Sequence, residues 1–207
     1  MNDKKEKPII FSTPMVKAIL AGNKTMTRRV VKEPVCTDKN GFISIKGFWM
    51  HPQKDTDHAF DGIAPYCIGD HLWVRETFTK APNGDYIYRA DPMFDDCGKG
   101  DISWDWTPSI SMPREAARIF LQIKNVRIER LQEITESDAQ KEGFLKGYAN
   151  GKTYIDNKSG FTALWNRINR GRYCWVQNPY VFVYEFVRAK LELAMETMKG
   201  GRENGKA

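Results

Sequence analysis

The 207-residue sequence is poor in the residues that build cross-links and metal centres. Its four cysteines, Cys36, Cys67, Cys97 and Cys174, are far apart and form no Cys-x-x-Cys pair, which argues against a disulfide framework and for free thiols in a reducing cytoplasm. Its three histidines, His51, His58 and His71, combine with them in no usual ligand spacing, so neither a structural metal nor a cofactor is expected. No apolar run approaches the roughly 20 residues of a bilayer span. The polar start MNDKKEKP lacks the apolar stretch of a secretory signal, and no membrane association is expected. No glycine-rich phosphate loop or Walker pattern follows a strand, which disfavours a doubly wound nucleotide-binding sheet. Internal repeats, low-complexity tracts and a coiled-coil seam are absent as well.

An excess of charge is also largely missing. The formal charge is +6, with 32 basic against 26 acidic residues and a pI of about 9.1. Met1 to Lys7 carries +1 of this and Arg188 to Ala207 carries +2, leaving +3 for the rest. The remainder is segregated: KTMTRRVVK at 24 to 32 is +4 without an acid, whereas Thr79 to Trp106 is −3. A protein that coats DNA through a uniformly basic surface is therefore unexpected, and one localised anion site fits better. With 41% apolar and 12% aromatic residues, the chain has enough hydrophobic surface to require a folded core.

The order of elements indicates an α+β domain. PIIFS at 8 to 12 reads as a strand, and Thr13-Pro14 opens a short helix that Gly22 can end. KTMTRRVV then alternates as a strand, with Thr25 and Thr27 on one face and Met26 and Arg28 on the other. The stretch 36 to 66 looks irregular, GDHLWVRETF at 69 to 78 is a strand, and the turn Pro82 to Asp85 leads to YIYRAD. After an acidic loop, AARIFLQIKNVRIER at 116 to 130 is the longest strand expected. Thr135-x-x-Asp138 is an acidic capping box, with Ile134 and Ala139 as its hydrophobic staple, and Gly143 stops that helix. Phe161, Leu164, Trp165 and Ile168 mark another helix, and YVFVYEFV at 180 to 187 closes the fold as a strand.

Four of these segments, AGNKTMTRR at 21 to 29, GDHLWVRETF, ITESDAQKEG at 134 to 143 and NPYVFVYEF at 178 to 186, resemble the ASCH-domain family in order and content. WTPSISMPREAARIFL at 106 to 121 is similar to the longer type common in bacteriophage and prophage genomes. The resemblance implies a small PUA-like β-barrel with short flanking helices. It would be a single domain over 8 to 188, with loop-rich insertions at about 36 to 66 and 80 to 113 and flexible or helical tails at 1 to 7 and 189 to 207.

Some small members of that family are amidohydrolases that remove the acetyl group of N4-acetylcytidine with a Lys, Thr and Glu set. By motif, the resemblance places those roles on Lys24, Thr27 and Glu142. The chemistry is coherent: a threonine hydroxyl needs a base, and a lysine serves as one when burial or neighbouring cations, such as Arg28 and Arg29, depress its pKa. A carboxylate at the last turn of a helix can then handle water and the leaving group. In a regular strand, positions 24 and 27 point to opposite faces, so Lys24 must belong to the Gly22-Asn23 turn or the strand must bulge.

Arg28, Arg29, Arg75, Glu76, Tyr88, Arg89 and Arg114 are candidates for holding a nucleobase or phosphate, against the plainer readings of cross-strand ion pairs and packing. Trp49, Trp104 and Trp106 are expected to anchor the insertions. Two functions stay open at this point, an amidohydrolase acting on a modified nucleoside and a non-catalytic module binding RNA or single-stranded nucleic acid. A phage assembly role has no positive feature behind it.

Overall fold

The computed structural model describes residues 6–51, 62–94, 104–144, 147–149, 152–154 and 156–189. The expected tails at 1–7 and 189–207 lie almost wholly outside them, as do His58 and Cys97. In chain order the elements are β1 (Glu6–Ile10), α1 (Thr13–Leu20), β2 (Met26–Val30), β3 (Val35–Thr37), β4 (Ile43–Ile45), β5 (Phe48–Met50), β6 (His71–Arg75), β7 (Phe78–Lys80) and β8 (Tyr86–Tyr88). There follow β9 (Phe120–Arg130), α2 (Glu136–Lys141), β10 (Gly147–Ala149), β11 (Lys152–Tyr154), α3 (Asn157–Ile168) and β12 (Tyr180–Arg188). The class is mixed α+β.

The chain divides into two compact units. The first draws on segments 1–17, 70–122 and 187–207. Here β1 runs parallel to β6, with Ile9 opposite Val74, and β6 pairs antiparallel with the start of β9, Trp73 opposite Phe120. Leu72, Val74 and Leu121 are wholly buried, as the apolar content of both strands requires. A hairpin of β7 and β8 packs Phe78, Tyr86 and Tyr88 around Met112 and Ala116. Trp104 and Trp106 lie edge-on to Phe94, at 5.6 and 5.1 Å, and so act as anchors.

The second unit draws on segments 18–69 and 123–186. Its central strand β12 lies between β9 and β2 and is antiparallel to β2, with Tyr184 opposite Thr27 and Val183 opposite Arg28. Every residue from Val181 to Tyr184 is buried, which explains why the segment reads as continuously apolar instead of alternating. Where the sequence suggests irregular chain, β3, β4 and β5 form a three-stranded antiparallel sheet with Ile43, Ile45 and Met50 buried. Turns at Gly41 (φ 83°) and Lys46-Gly47 (φ 53° and 84°) hide it, because they leave strands of only three residues. Trp49 is 59% exposed and anchors nothing among the described residues. β1 and β2 each pair on one side only, and among the described strands no sheet closes into a barrel.

Candidate active site

Two short segments of the second unit are brought together with unusual closeness. After α1, the amides of Asn23 and Lys24 both donate to the Ala18 carbonyl, and Gly22 at φ 77° reverses the chain. Lys24 therefore belongs to the turn, two residues before β2 begins, and its alternation with Thr27 is broken. Helix α2 is capped at its start by Thr135, whose Oγ1 accepts the Asp138 amide at 3.0 Å. At its end the Phe144 amide donates to Ala139 and the Gly143 amide to Gln140, a Schellman closure around Gly143 at φ 94°.

The turn and the helix end then pair, with a β-bridge between Lys24 and Glu142 and the Thr25 amide donating to the Lys141 carbonyl at 2.8 Å. A Cβ on Gly143 would stand 2.9 Å from Cβ of Ala18 and 3.3 Å from Cβ of Lys24, so glycine is required there for both conformation and approach.

This pairing buries an ion pair. Nζ of Lys24 donates to Oε2 of Glu142 at 2.7 Å, to the Glu142 carbonyl at 2.8 Å and to the Met26 carbonyl at 2.8 Å. Its side chain is 2% exposed and that of Glu142 is 5% exposed. Burial drives the Lys24 pKa below its ordinary value; the Glu142 carboxylate opposes this, while Arg29 and Arg28 add to it. The Met26 carbonyl is in the peptide bond that precedes Thr27, the expected nucleophile.

Arg28 is the hub of the surrounding charges. Its guanidinium side chain has no exposure and donates to Glu129 at 2.6 and 2.9 Å, to Asp138 at 2.9 Å and to Oε1 of Glu142 at 3.4 Å. Arg127 joins from β9, pairing with Glu129, Asp138 and Glu185. The Asp138 carboxylate is thus held by two arginines. The three cations Lys24, Arg28 and Arg127 meet the four carboxylates of Glu129, Asp138, Glu142 and Glu185. Two of the four cations of the basic segment, Lys24 and Arg28, meet carboxylates in the fold, and Arg28 orients carboxylates where an anion contact was expected.

Thr27 and Arg29 project from the other face of β2. Thr27 is 3% exposed and lies directly across from Tyr184, so their side chains share a face. Tyr184 is wholly buried, its ring edge-on to Tyr66 at 5.2 Å. Burial raises the pKa of its phenol, with the Tyr66 backbone and Arg29 opposing. Arg29 is only partly buried and acts electrostatically on both Lys24 and Tyr184.

The remaining candidates lie in the first unit. Arg118 grips the buried carboxylate of Glu76 with Nε at 2.9 Å and Nη2 at 3.0 Å, pairs with Asp91, and stacks 3.8 Å over the ring of Tyr88. The Tyr88 hydroxyl donates to the Ala116 carbonyl. Arg114 forks onto Glu6 at 2.8 and 2.9 Å and lies over Phe120. Arg75 donates to Ile110 and stacks on Trp73, while Arg89 donates to Phe94 and stacks on Trp106. All five have these internal contacts, in keeping with the plainer reading of ion pairs and packing.

Sequence reading missed Arg127, Glu129, Asp138 and Tyr184. A signal existed for three of them: NVRIER puts Arg127 and Glu129 on one strand face, and Asp138 lies four residues before Glu142 on one helix face. Tyr184 follows only from the register of β12 against β2. Among the described residues no cluster of three or more His, Cys, Asp or Glu side chains is arranged to hold a metal ion, and no helix is long and apolar enough to cross a membrane. No protein-family model, no curated protein and no solved structure matches this chain.

Proposed function

We propose that the protein is an amidohydrolase of the ASCH type, on a PUA-like framework, which removes an acyl group from a modified nucleoside such as N4-acetylcytidine in the cytoplasm. The observation that carries this reading is the Lys24–Glu142 pair, two titratable groups almost without exposure, 2.7 Å apart, with the lysine held below its ordinary pKa. A buried lysine with a lowered pKa, next to a carboxylate, is the arrangement a proton-accepting site needs.

The reaction starts from the neutral pair, amine and carboxylic acid, formed when the proton crosses the 2.7 Å hydrogen bond. Nζ of Lys24 takes the Thr27 Oγ1 proton as the bond from Oγ1 to the acyl carbon forms, and the carbonyl π pair moves onto oxygen. That pair returns, the C–N bond breaks, and the Glu142 acid protonates the leaving nitrogen, which gives the free nucleobase amine and an acyl ester on Thr27. Water then adds to the ester with its proton going to the Glu142 carboxylate. As the second intermediate collapses, the Lys24 ammonium returns a proton to Oγ1 and the carboxylic acid leaves. Arg28 holds Glu142 in position throughout.

The test is turnover of N4-acetylcytidine and a panel of N-acylated nucleosides by wild type, Lys24→Ala and Thr27→Ala. Release of free nucleoside by wild type and its loss by about 10²-fold or more in both variants is expected. No turnover across the panel, or full activity in both variants, removes the enzymatic reading.

A further inference from the structure

The Tyr184 hydroxyl belongs to the same sheet face as Thr27. Its oxygen is buried and its proton meets no acceptor among the described residues, in a residue with no exposure at all. A buried hydroxyl without an acceptor costs free energy that a phenylalanine at the same place would avoid, so such a group calls for an explanation. Its neighbours are informative. The Tyr66 backbone, through a hydrogen bond to it, and the Arg29 guanidinium both favour negative charge at the phenol oxygen. The same guanidinium acts on Lys24. Thr27 is its direct cross-strand partner, and side chains so paired have Cβ atoms about 4.5–5.5 Å apart.

We propose that the Tyr184 hydroxyl is the hydrogen-bond donor for the carbonyl oxygen of the substrate's acyl group, and that it restricts the site to N-acyl over N-alkyl nucleosides. This rests on the amidohydrolase reading, since it places the acyl carbon beside Thr27. When the Thr27 oxygen adds to that carbon and the π pair moves onto the carbonyl oxygen, the Tyr184 hydroxyl donates to the developing oxyanion and keeps its own proton. The electrons return when the C–N bond breaks. Burial keeps the phenol protonated at neutral pH, which is the form that donates. Arg29, partly exposed, adds positive charge on the same face. The half-buried ring of Tyr66 stands edge-on against Tyr184 and offers the flat base of the substrate an aromatic neighbour. An N-alkyl nucleoside has no carbonyl oxygen to offer, so binding it would leave the buried hydroxyl unsatisfied.

The experiment compares Tyr184→Phe with wild type in three measurements. Turnover of N4-acetylcytidine is expected to fall by about 10²–10³-fold, the effect of removing one oxyanion donor. Melting temperature is expected to hold or rise, because the change deletes an unsatisfied buried group. Affinity for N4-acetylcytidine relative to N4-methylcytidine, measured by titration calorimetry on a Lys24→Ala background that does not turn over, is expected to drop at least tenfold on adding Tyr184→Phe.

Turnover within twofold of wild type, or a fall of several degrees in melting temperature, would overturn the proposal by showing an idle or structural hydroxyl. If wild type turns over no acylated nucleoside, the amidohydrolase reading fails and the binding measurement decides alone. Loss of the N-acyl preference in Tyr184→Phe upholds the donor role, and an unchanged preference or no binding overturns it.

Discussion

Both units bury a carboxylate against a cation, but they use different cations. In the first unit Glu76, 1% exposed, is held by the two-pronged grip of Arg118, which stays 29% exposed and stacks on Tyr88. In the second, Glu142 is held by Lys24, itself 2% exposed, with Arg28 behind it. An arginine keeps its proton under all ordinary conditions and matches a carboxylate fork, so the Glu76 cluster is a fixed staple. A buried lysine can lose its proton, so the Glu142 cluster can do chemistry. On the proposed reading, proton transfer belongs to the turn at Lys24, and the Arg118–Glu76 pair of the first unit contributes rigidity.

The comparison breaks first on stability. Lys24→Met leaves Glu142 buried without its partner and is expected to cost roughly 3–5 kcal/mol. Adding Glu142→Leu should return most of that loss, since a buried pair replaced by apolar groups is often neutral. Arg118→Met should cost less, about 1–3 kcal/mol, because its ion pairs are partly in water. Urea denaturation of the four proteins checks the order, and equal losses in the two units would remove the distinction.

Gly143→Ala comes next, at roughly 1–3 kcal/mol, because φ is 94° and the new Cβ meets Ala18 at 2.9 Å. It should also move Glu142 away from Lys24 and reduce any turnover more than it reduces stability. A substitution without effect on either would show that the close approach is unimportant.

The pH dependence of the two clusters should run in opposite directions. Burial raises the Glu76 pKa above the ordinary 4.5 against the pull of Arg118. The folded chain then binds the proton more tightly, so this contribution is present below 4.5 and is lost as pH rises through the folded value. Lys24 has a folded pKa below the ordinary 10.5, so its contribution is lost as pH falls through the folded value and grows toward 10.5. Unfolding free energies across pH should lose the first slope in Glu76→Gln and the second in Lys24→Met. Slopes of the same sign would contradict the assignment. The smallest effect is Thr135→Ala, about 1 kcal/mol for the lost cap of α2, read by thermal unfolding.

Much of this was legible because the signals are local. The cap at Thr135, the stop at Gly143 and the strand at KTMTRRVV each depend on a few neighbouring residues, and all three form near their expected places. The condition that Lys24 sit in the turn was also readable, since Gly22-Asn23 precedes it. What could not be read was long-range. That Arg28 faces Glu129, 101 residues away, and Asp138, 110 residues away, sets a basic strand against an excess of carboxylates. The sheet of β3 to β5 escaped because three-residue strands are too short for alternation to be visible.

The measurement closest to the central claim is the titration of Lys24 itself, followed through the carbon and nitrogen resonances at the end of its side chain in labelled protein and assigned with Lys24→Met. The account predicts that Lys24 titrates clearly below 10.5, and that Arg28→Gln, by removing a neighbouring cation, moves the midpoint upward. A lysine that titrates at or above 10.5, insensitive to Arg28, would be a permanently charged strut, and the proton-transfer site would not exist.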